Sequence, residues 1–258
     1  MFSKDSARQA DACRFCWMCR HICPVAGATG SEAWTPRARG LMISMIERGT
    51  EFDKDIAEAM YHCTLCDACA NDCVTGYKPS EYTREARMRA VVEDLAPAAV
   101  IKMIDTISEC GNIFGLSAMG KLFEKAGKLP EKAEVLLFIG QTAEAMRADT
   151  GVHAISILKK AGIDFTVLAD EPASGAYLGE LMGYTGDVQA VAAHTAKMIA
   201  DTGAKTLVVL NPADAAMFKE QYGAWGLLSG IEIVTATAFI AALIADGKLK
   251  VKKAGIAG

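Results

Sequence analysis

The stretch CRFCWMCRHICP, Cys13–Pro24, places four cysteines in eleven residues, and CTLCDACANDCV, Cys63–Val74, repeats the arrangement. Each repeat reads C-x2-C-x2-C-x3-C. Three thiolates at two-residue gaps on a tight loop can each reach one iron of a [4Fe–4S] cube. The fourth lies just beyond, points away, and in two-cluster proteins ligates the other cube. The spacing therefore predicts two [4Fe–4S] clusters, one held by Cys13, Cys16, Cys19 and Cys73, the other by Cys63, Cys66, Cys69 and Cys23. Zinc is the plain alternative. Zinc sites use four ligands, often as two short cysteine pairs separated by a longer loop, and two runs of four closely spaced cysteines fit that poorly. Pro24 follows the first repeat as in the bacterial motif, whereas Val74 holds the matching place in the second.

Outside these loops the chain holds one further cysteine, Cys110, among 258 residues. Clustered thiols favour metal over disulfides in a reducing compartment. The length suits two modest domains. At 52% hydrophobic and 22% charged the chain can bury an ordinary core, and a net charge of -4 gives no basic footprint for nucleic acid. The start, MFSKDSARQADACRF, is polar and lacks the apolar core of a signal peptide. ATAFIAALIA, 236–245, is too short to span a bilayer and reads as a buried helix. A cytoplasmic chain without a transmembrane segment is expected.

The rhythm changes along the sequence. TPRARGLMISMIERG and EFDKDIAEAMYHC carry apolar residues at helical spacing, and KPSEYTREARMRAVVEDLAP reads as a helix with Ser80 near its N-cap. PAAVIKMIDTISECGNIFG and SAMGKLFEKAG read as helices broken at glycines. From Glu131 on, AEVLLFIG, IDFTVLAD, AKTLVVLN and IEIVTATA are short apolar runs separated by helical stretches such as GVHAISILKKAG and DVQAVAAHTAKMIADTG. That alternation predicts βαβ units and a mostly parallel sheet covered on both faces. The expected organisation is an α-helical two-cluster ferredoxin domain over 1–96, a helical connector over 97–130 and an α/β domain over 131–258. The 39 residues between Cys23 and Cys63 form a long helical insert, unlike the β-rich frame of small ferredoxins.

These features resemble a family of iron–sulfur proteins: the heterodisulfide reductase C/D-related proteins, the iron–sulfur (C-type) component of anaerobic glycerol-3-phosphate dehydrogenase, and the iron–sulfur subunits of glycolate or lactate oxidase. WTPRARGLMISMIERG resembles their insert, GNIFG their connector, and VLLFIGQTAE the opening of their cysteine-rich CCG domain. The family carries a lone cysteine, a Cys-Cys-Gly and a Cys-x-x-Cys in that domain. Here the corresponding places hold Gln141, Ala173-Ser174-Gly175, and Asn211 with Asp214, at gaps of 31 and 36 residues. Gln, Ala, Ser, Asn and Asp cannot hold a soft iron–sulfur centre. The resemblance thus implies a CCG-like domain that kept its fold and lost its thiolate centre, with Asn211 and Asp214 a weak pair for a hard cation. No nucleotide-binding fingerprint occurs there.

Phe15 and Trp17 are expected to shield a cube from water, and Arg14, Arg20 and His21 to be solvated. His62 adjoins Cys63, Cys110 reads as a small buried residue, and His153 and His194 as ordinary helical histidines. No catalytic constellation is present in the sequence. The first expectation is an electron-transfer subunit of an oxidoreductase, itself non-catalytic, passing single electrons through its clusters. The resemblance implies a flavoprotein dehydrogenase partner carrying FAD or FMN, with an electron-transfer flavoprotein or a quinone-linked acceptor. The alternatives are a catalytic heterodisulfide or quinone reductase-like subunit, against which the absent cysteines count, and a chain whose clusters only brace the fold.

Overall fold

A computed structural model describes residues 2–116 and 127–252. The expected helix SAMGKLFEKAG lies largely outside the described residues. The chain forms two compact units: residues 1–105 with 178–188, and residues 106–177 with 189–258. The segment 178–188, inside the span expected for the α/β domain, thus packs with the helices.

The first unit is built from helices with clear start signals. Ser3 caps α1 (Lys4–Cys13) by accepting from Ser6 N at 3.2 Å. After the short α2 (Pro24–Thr29), Thr35 caps α3 (Pro36–Glu47), and Asp53 caps α4 (Lys54–Tyr61). Each cap satisfies a backbone donor that the first turn cannot. A single turn, α5 (Ala68–Asn71), precedes α6 (Pro79–Val92). Ser80 is not the cap of α6: Pro79 occupies its first turn, where a missing N–H is harmless, and Ser80 is buried behind it.

Tyr82, Ala86 and Ala90 recur every four residues on α6 and meet Ala10, Ile43, Ala57 and Met60 in one core. At Gly40 a Cβ would stand 3.1 Å from Ala10 O, 3.2 Å from Tyr82 Oη and 3.3 Å from Cys13 Cβ. The missing side chain lets α3 approach α1 at the point where α1 delivers Cys13. Arg87, buried on α6, donates to the carbonyls of Met60 at 3.1 and 3.0 Å, Cys63 at 2.5 Å and Glu180 at 2.7 Å. It closes the exposed carbonyls at the end of α4, and with Tyr61 Oη donating to Leu181 O at 3.0 Å it ties segment 178–188 to the unit. Within helix α7 (Ala98–Cys110) the chain passes from the first unit to the second.

The second unit is a parallel sheet in the order β2-β1-β3-β4, with β1 Val135–Phe138, β2 Phe165–Thr166, β3 Thr206–Val209 and β4 Glu232–Thr235. Val135 pairs with Phe165 and Thr206, and Thr206 with Glu232. All four apolar runs supply strands. Helices α8 (Gln141–Met146), α9 (Ala148–Lys160), α10 (Ala176–Met182), α11 (Gly186–Asp201) and α12 (Pro212–Met217) lie in the connections, and α13 (Ala236–Ala245) follows β4. Leu137 and Val208 face a core with Ile155, Leu158 and Phe165. Their strand neighbours are buried too, and Phe138 meets Phe218 edge-on at 5.0 Å. A sheet buried on both faces explains the unbroken apolar runs.

The run ATAFIAALIA is not a buried helix. Only Ala236 and Leu243 of α13 are buried, and Ile244 is exposed. The helix follows an edge strand and lays one narrow stripe on the core. Its start also trims the expected IEIVTATA strand, because the Thr235 side chain caps α13 by accepting from Ala238 N at 3.4 Å.

Candidate functional site: two thiol loops and a thiol-free crevice

The eight loop cysteines are all free thiols in the first unit. Cys13 ends α1, and a turn closes Cys16 N on Cys13 O at 3.0 Å. Cys23 precedes Pro24 at the head of α2. In the second loop, Leu65 and Asp67 adopt left-handed φ of 52° and 57° on either side of Cys66. Such conformations cost on the order of 1–2 kcal/mol each in a non-glycine residue, and they cluster where a loop is shaped for function. Cys73 closes the loop one turn beyond α5.

Cys23 joins the second loop in space. With Cys63, Cys66 and Cys69 it lines one small pocket, which also touches Arg39. Cys73 joins the first loop: Cys13 lies within electrostatic reach of Cys16 and Cys73, and Cys19 within reach of Cys13, Cys16 and Cys73. Among the described residues, no three His, Cys, Asp or Glu side chains converge on a point as the ligands of a single ion would. Cys23, Cys63, Cys66 and Cys69 face one pocket, and the donor set of the two loops suits soft iron–sulfur chemistry.

Burial pushes the Cys13 thiol upward, Cys19 to about 11 and Cys69 to about 12, with neighbouring thiols adding to each rise. Without a metal these positions favour the neutral thiol, so iron must displace protons to bind. Cys73 moves the other way. Burial is the largest single influence and raises it, but hydrogen bonds from Thr75, Tyr77 and Gly76 together outweigh it, including Thr75 Oγ1 at 3.1 Å and Tyr77 N at 3.3 Å. Tyr82, fully buried, donates to Cys13 Sγ at 3.4 Å and Pro36 O at 3.0 Å. Leu65 N donates to Cys63 Sγ at 3.4 Å. Donors aimed at ligand sulfurs are one of the levers on a cluster's potential.

Phe15 and Trp17 do not shield these thiols as expected. They are 70% and 51% exposed, held outward by Arg14 over Phe15 at 3.9 Å and Arg37 over Trp17 at 4.0 Å. His62 packs against Trp34 with ring centroids 4.1 Å apart. Cys110, half-buried, lies in the helix α7.

The crevice at the carboxyl ends of β1 and β3, where connections leave the sheet in opposite directions, is where open α/β sheets bind ligands. Ser174, Asn211 and Asp214 meet there, beside Gly140. Ser174 Oγ donates to Asp214 Oδ1 at 2.5 Å, Asn211 Nδ2 to Tyr177 Oη at 3.2 Å, and Tyr222 Oη to Ser174 O at 2.9 Å. Gln141 turns aside and donates to Gly111 O at 2.6 Å. The sequence reading missed Glu171, whose carboxylate accepts from Ile139 N at 2.7 Å and Gly140 N at 2.6 Å. Burial raises Glu171 to about 8, against the pull of those two N–H groups, and raises Asp214 to about 6. A thiolate-bound centre does not fit this crevice: its donors are oxygens and amides, several of them bonded to one another, and Asp214 Oδ2 is buried without a partner.

Two four-cysteine loops on a helical frame, joined to a parallel α/β unit with no cysteine in its strand-end crevice, define an iron–sulfur protein. Residues 9–77 match the 4Fe-4S dicluster domain family. The chain is 27% identical over 204 residues to a "Probable membrane-anchored ferredoxin" of Chromohalobacter salexigens, covering 75% of this chain and 30% of that protein. It is 26% identical over 273 residues to the D component of the dihydromethanophenazine:CoB--CoM heterodisulfide reductase of Methanosarcina acetivorans, covering 95% of this chain and 66% of that protein. It is 23% identical over 246 residues to "EtfAB:quinone oxidoreductase" of Syntrophomonas wolfei subsp. wolfei, covering 88% and 34%. The chain thus spans from 30% to 66% of the length of these relatives. No solved structure matches it significantly. The chain is similar to heterodisulfide reductase D proteins over most of its length, and it carries [4Fe–4S] clusters. Among the described residues no helix is long and apolar enough to cross a membrane.

Proposed function

We propose that the chain is an electron-relay subunit holding two [4Fe–4S] clusters, one on Cys13, Cys16, Cys19 and Cys73 and the other on Cys63, Cys66, Cys69 and Cys23. It passes single electrons between a flavoprotein partner and a further carrier. The observation that carries this reading is the exchange of fourth cysteines: Cys23 stands with the second loop and Cys73 near the first. When bound, the clusters supply reversible one-electron chemistry. The chain's own residues fix the spacing through α1, α3 and α6, and aim donors from Tyr82, Tyr77 and Leu65 at ligand sulfurs.

The flavoprotein partner is inferred from relatives whose names join such chains to a heterodisulfide reductase and to an electron-transfer flavoprotein:quinone oxidoreductase. In the α/β unit the crevice carries hydrogen-bonded oxygens and amides where the resemblance places thiolates, which supports packing and docking as that unit's part. The absent CCG cysteines count against a reductase activity of the kind the cysteine-complete relatives would have.

Anaerobic redox titration followed by EPR tests the relay. About eight irons per chain and two reducible, mutually interacting centres are expected. Clusters that cannot be reduced by any biological donor would leave a brace, not a wire. Clearly more than eight irons would refute the loss of the centre in the α/β unit.

A further inference from the structure

Two arginines are buried in the helical unit, and they are not alike. Arg87 is clamped by three backbone carbonyls. Arg39, on α3, is 2% exposed, donates from Nη1 to Trp34 O at 2.9 Å, and leaves its buried Nε without a partner. Among the described residues no carboxylate forms an ion pair with it. A buried charge without a counter-charge costs several kcal/mol, so the fold as described has an unbalanced cation in its interior.

The balancing charge is available nearby. Arg39 lines the cavity bounded by Cys23, Cys63, Cys66 and Cys69. It also acts electrostatically on Cys13 of the other set as well as on Cys69. One guanidinium therefore stands within reach of both thiol sets, and the carbonyl it holds, Trp34 O, also accepts from Cys23 Sγ at 3.8 Å. A thiolate-bound cube is anionic and gains one more negative charge when an electron arrives from a reduced flavin or a chemical reductant. A permanent positive charge inside a low-dielectric core favours that added electron.

We propose that Arg39 is a shared positioning charge for both clusters, raising the reduction potential of each and keeping the two matched so that electrons can move either way between them. The proposal rests on the reading that both cysteine sets hold cubes. Wild-type iron below about eight per chain would overturn that reading, and the proposal with it, before any variant is compared.

The test is EPR-monitored potentiometry on the full chain and its Arg39→Gln and Arg39→Lys variants. Gln keeps a donor for Trp34 O and removes the charge; Lys keeps the charge and removes the guanidinium. In R39Q the ratio of reduced to oxidised cluster at a fixed potential should fall at least about tenfold at both sites, a shift of about 59 mV for one electron. In R39K it should stay within about threefold of wild type. Unchanged potentials in R39Q, or a shift at one site with the other unmoved, would overturn the proposal. If R39Q folds without taking up iron, R39K decides. Wild-type loading with nearly wild-type potentials supports the shared charge; failure to load, or a tenfold shift, rejects it.

Discussion

The two units solve the same problem in opposite ways. In the helical unit, eight thiols stand on two short loops, and four of them line one pocket together with the buried Arg39. In the α/β unit, the crevice at the strand ends is closed by its own side chains: Ser174 on Asp214, Asn211 on Tyr177, and Glu171 on two backbone N–H groups. The first arrangement is completed by a soft metal cluster. The second holds two carboxyl groups out of water, most of their oxygens hydrogen-bonded within the unit and Asp214 Oδ2 left without a partner.

The sharpest way to break this contrast is to remove the exchanged cysteines singly. Cys23→Ser should abolish the EPR signal of one centre and halve the iron from about eight to about four, sparing the centre that includes Cys73. Cys73→Ser should do the reverse. Two variants that lose the same centre would dissolve the assignment.

In the α/β unit, Gly140 has a φ of 86°, and a Cβ there would lie 2.7 Å from Asp214 Oδ2. Gly140→Ala should cost about 3 kcal/mol from backbone strain and the displaced carboxylate. Denaturant unfolding followed by Trp225, the α/β unit's tryptophan, reads that loss while the cluster absorbance from the other unit stays unchanged.

The buried carboxyls give the crevice a pH signature. Glu171 holds its proton more tightly folded than unfolded, so unfolding releases a proton. Its stabilising contribution is fully present below the ordinary value of 4.5 and is lost as pH rises toward about 8. Asp214 acts in the same direction between 3.8 and about 6. The α/β unit should lose on the order of a few kcal/mol between pH 4.5 and 8, and Glu171→Gln should flatten that slope. A slope of the opposite sign, or one that E171Q leaves intact, would show the carboxyls are not buried as described.

The smallest effect belongs to the helical unit. Tyr82→Phe removes donors to Cys13 Sγ and Pro36 O and should cost about 1 kcal/mol. It should also lower the potential of the centre containing Cys13 alone, unlike R39Q, which moves both.

Much of this was legible in the sequence because the decisive signals are local. The cysteine loops are encoded by gaps of two and three residues. The four strands are encoded by runs such as VLLF and TLVV, which must be apolar throughout because both faces of the sheet are covered. The crevice was partly legible: the family resemblance places Ser174, Asn211 and Asp214 at one site, while Glu171 carries no signal, since a lone acid in EPASGA reads as solvated surface.

What tertiary structure decided depends on contacts between residues far apart in the chain. That Arg39, one charged residue on an amphipathic helix, ends in the interior beside both thiol sets follows from the close approach of α1 and α3 at Gly40. That ATAFIAALIA stays half in water follows from its place after an edge strand, where only one stripe finds a partner. Composition fixes what a segment can bury; only packing fixes what it meets, because burial and charge balance are properties of the neighbourhood.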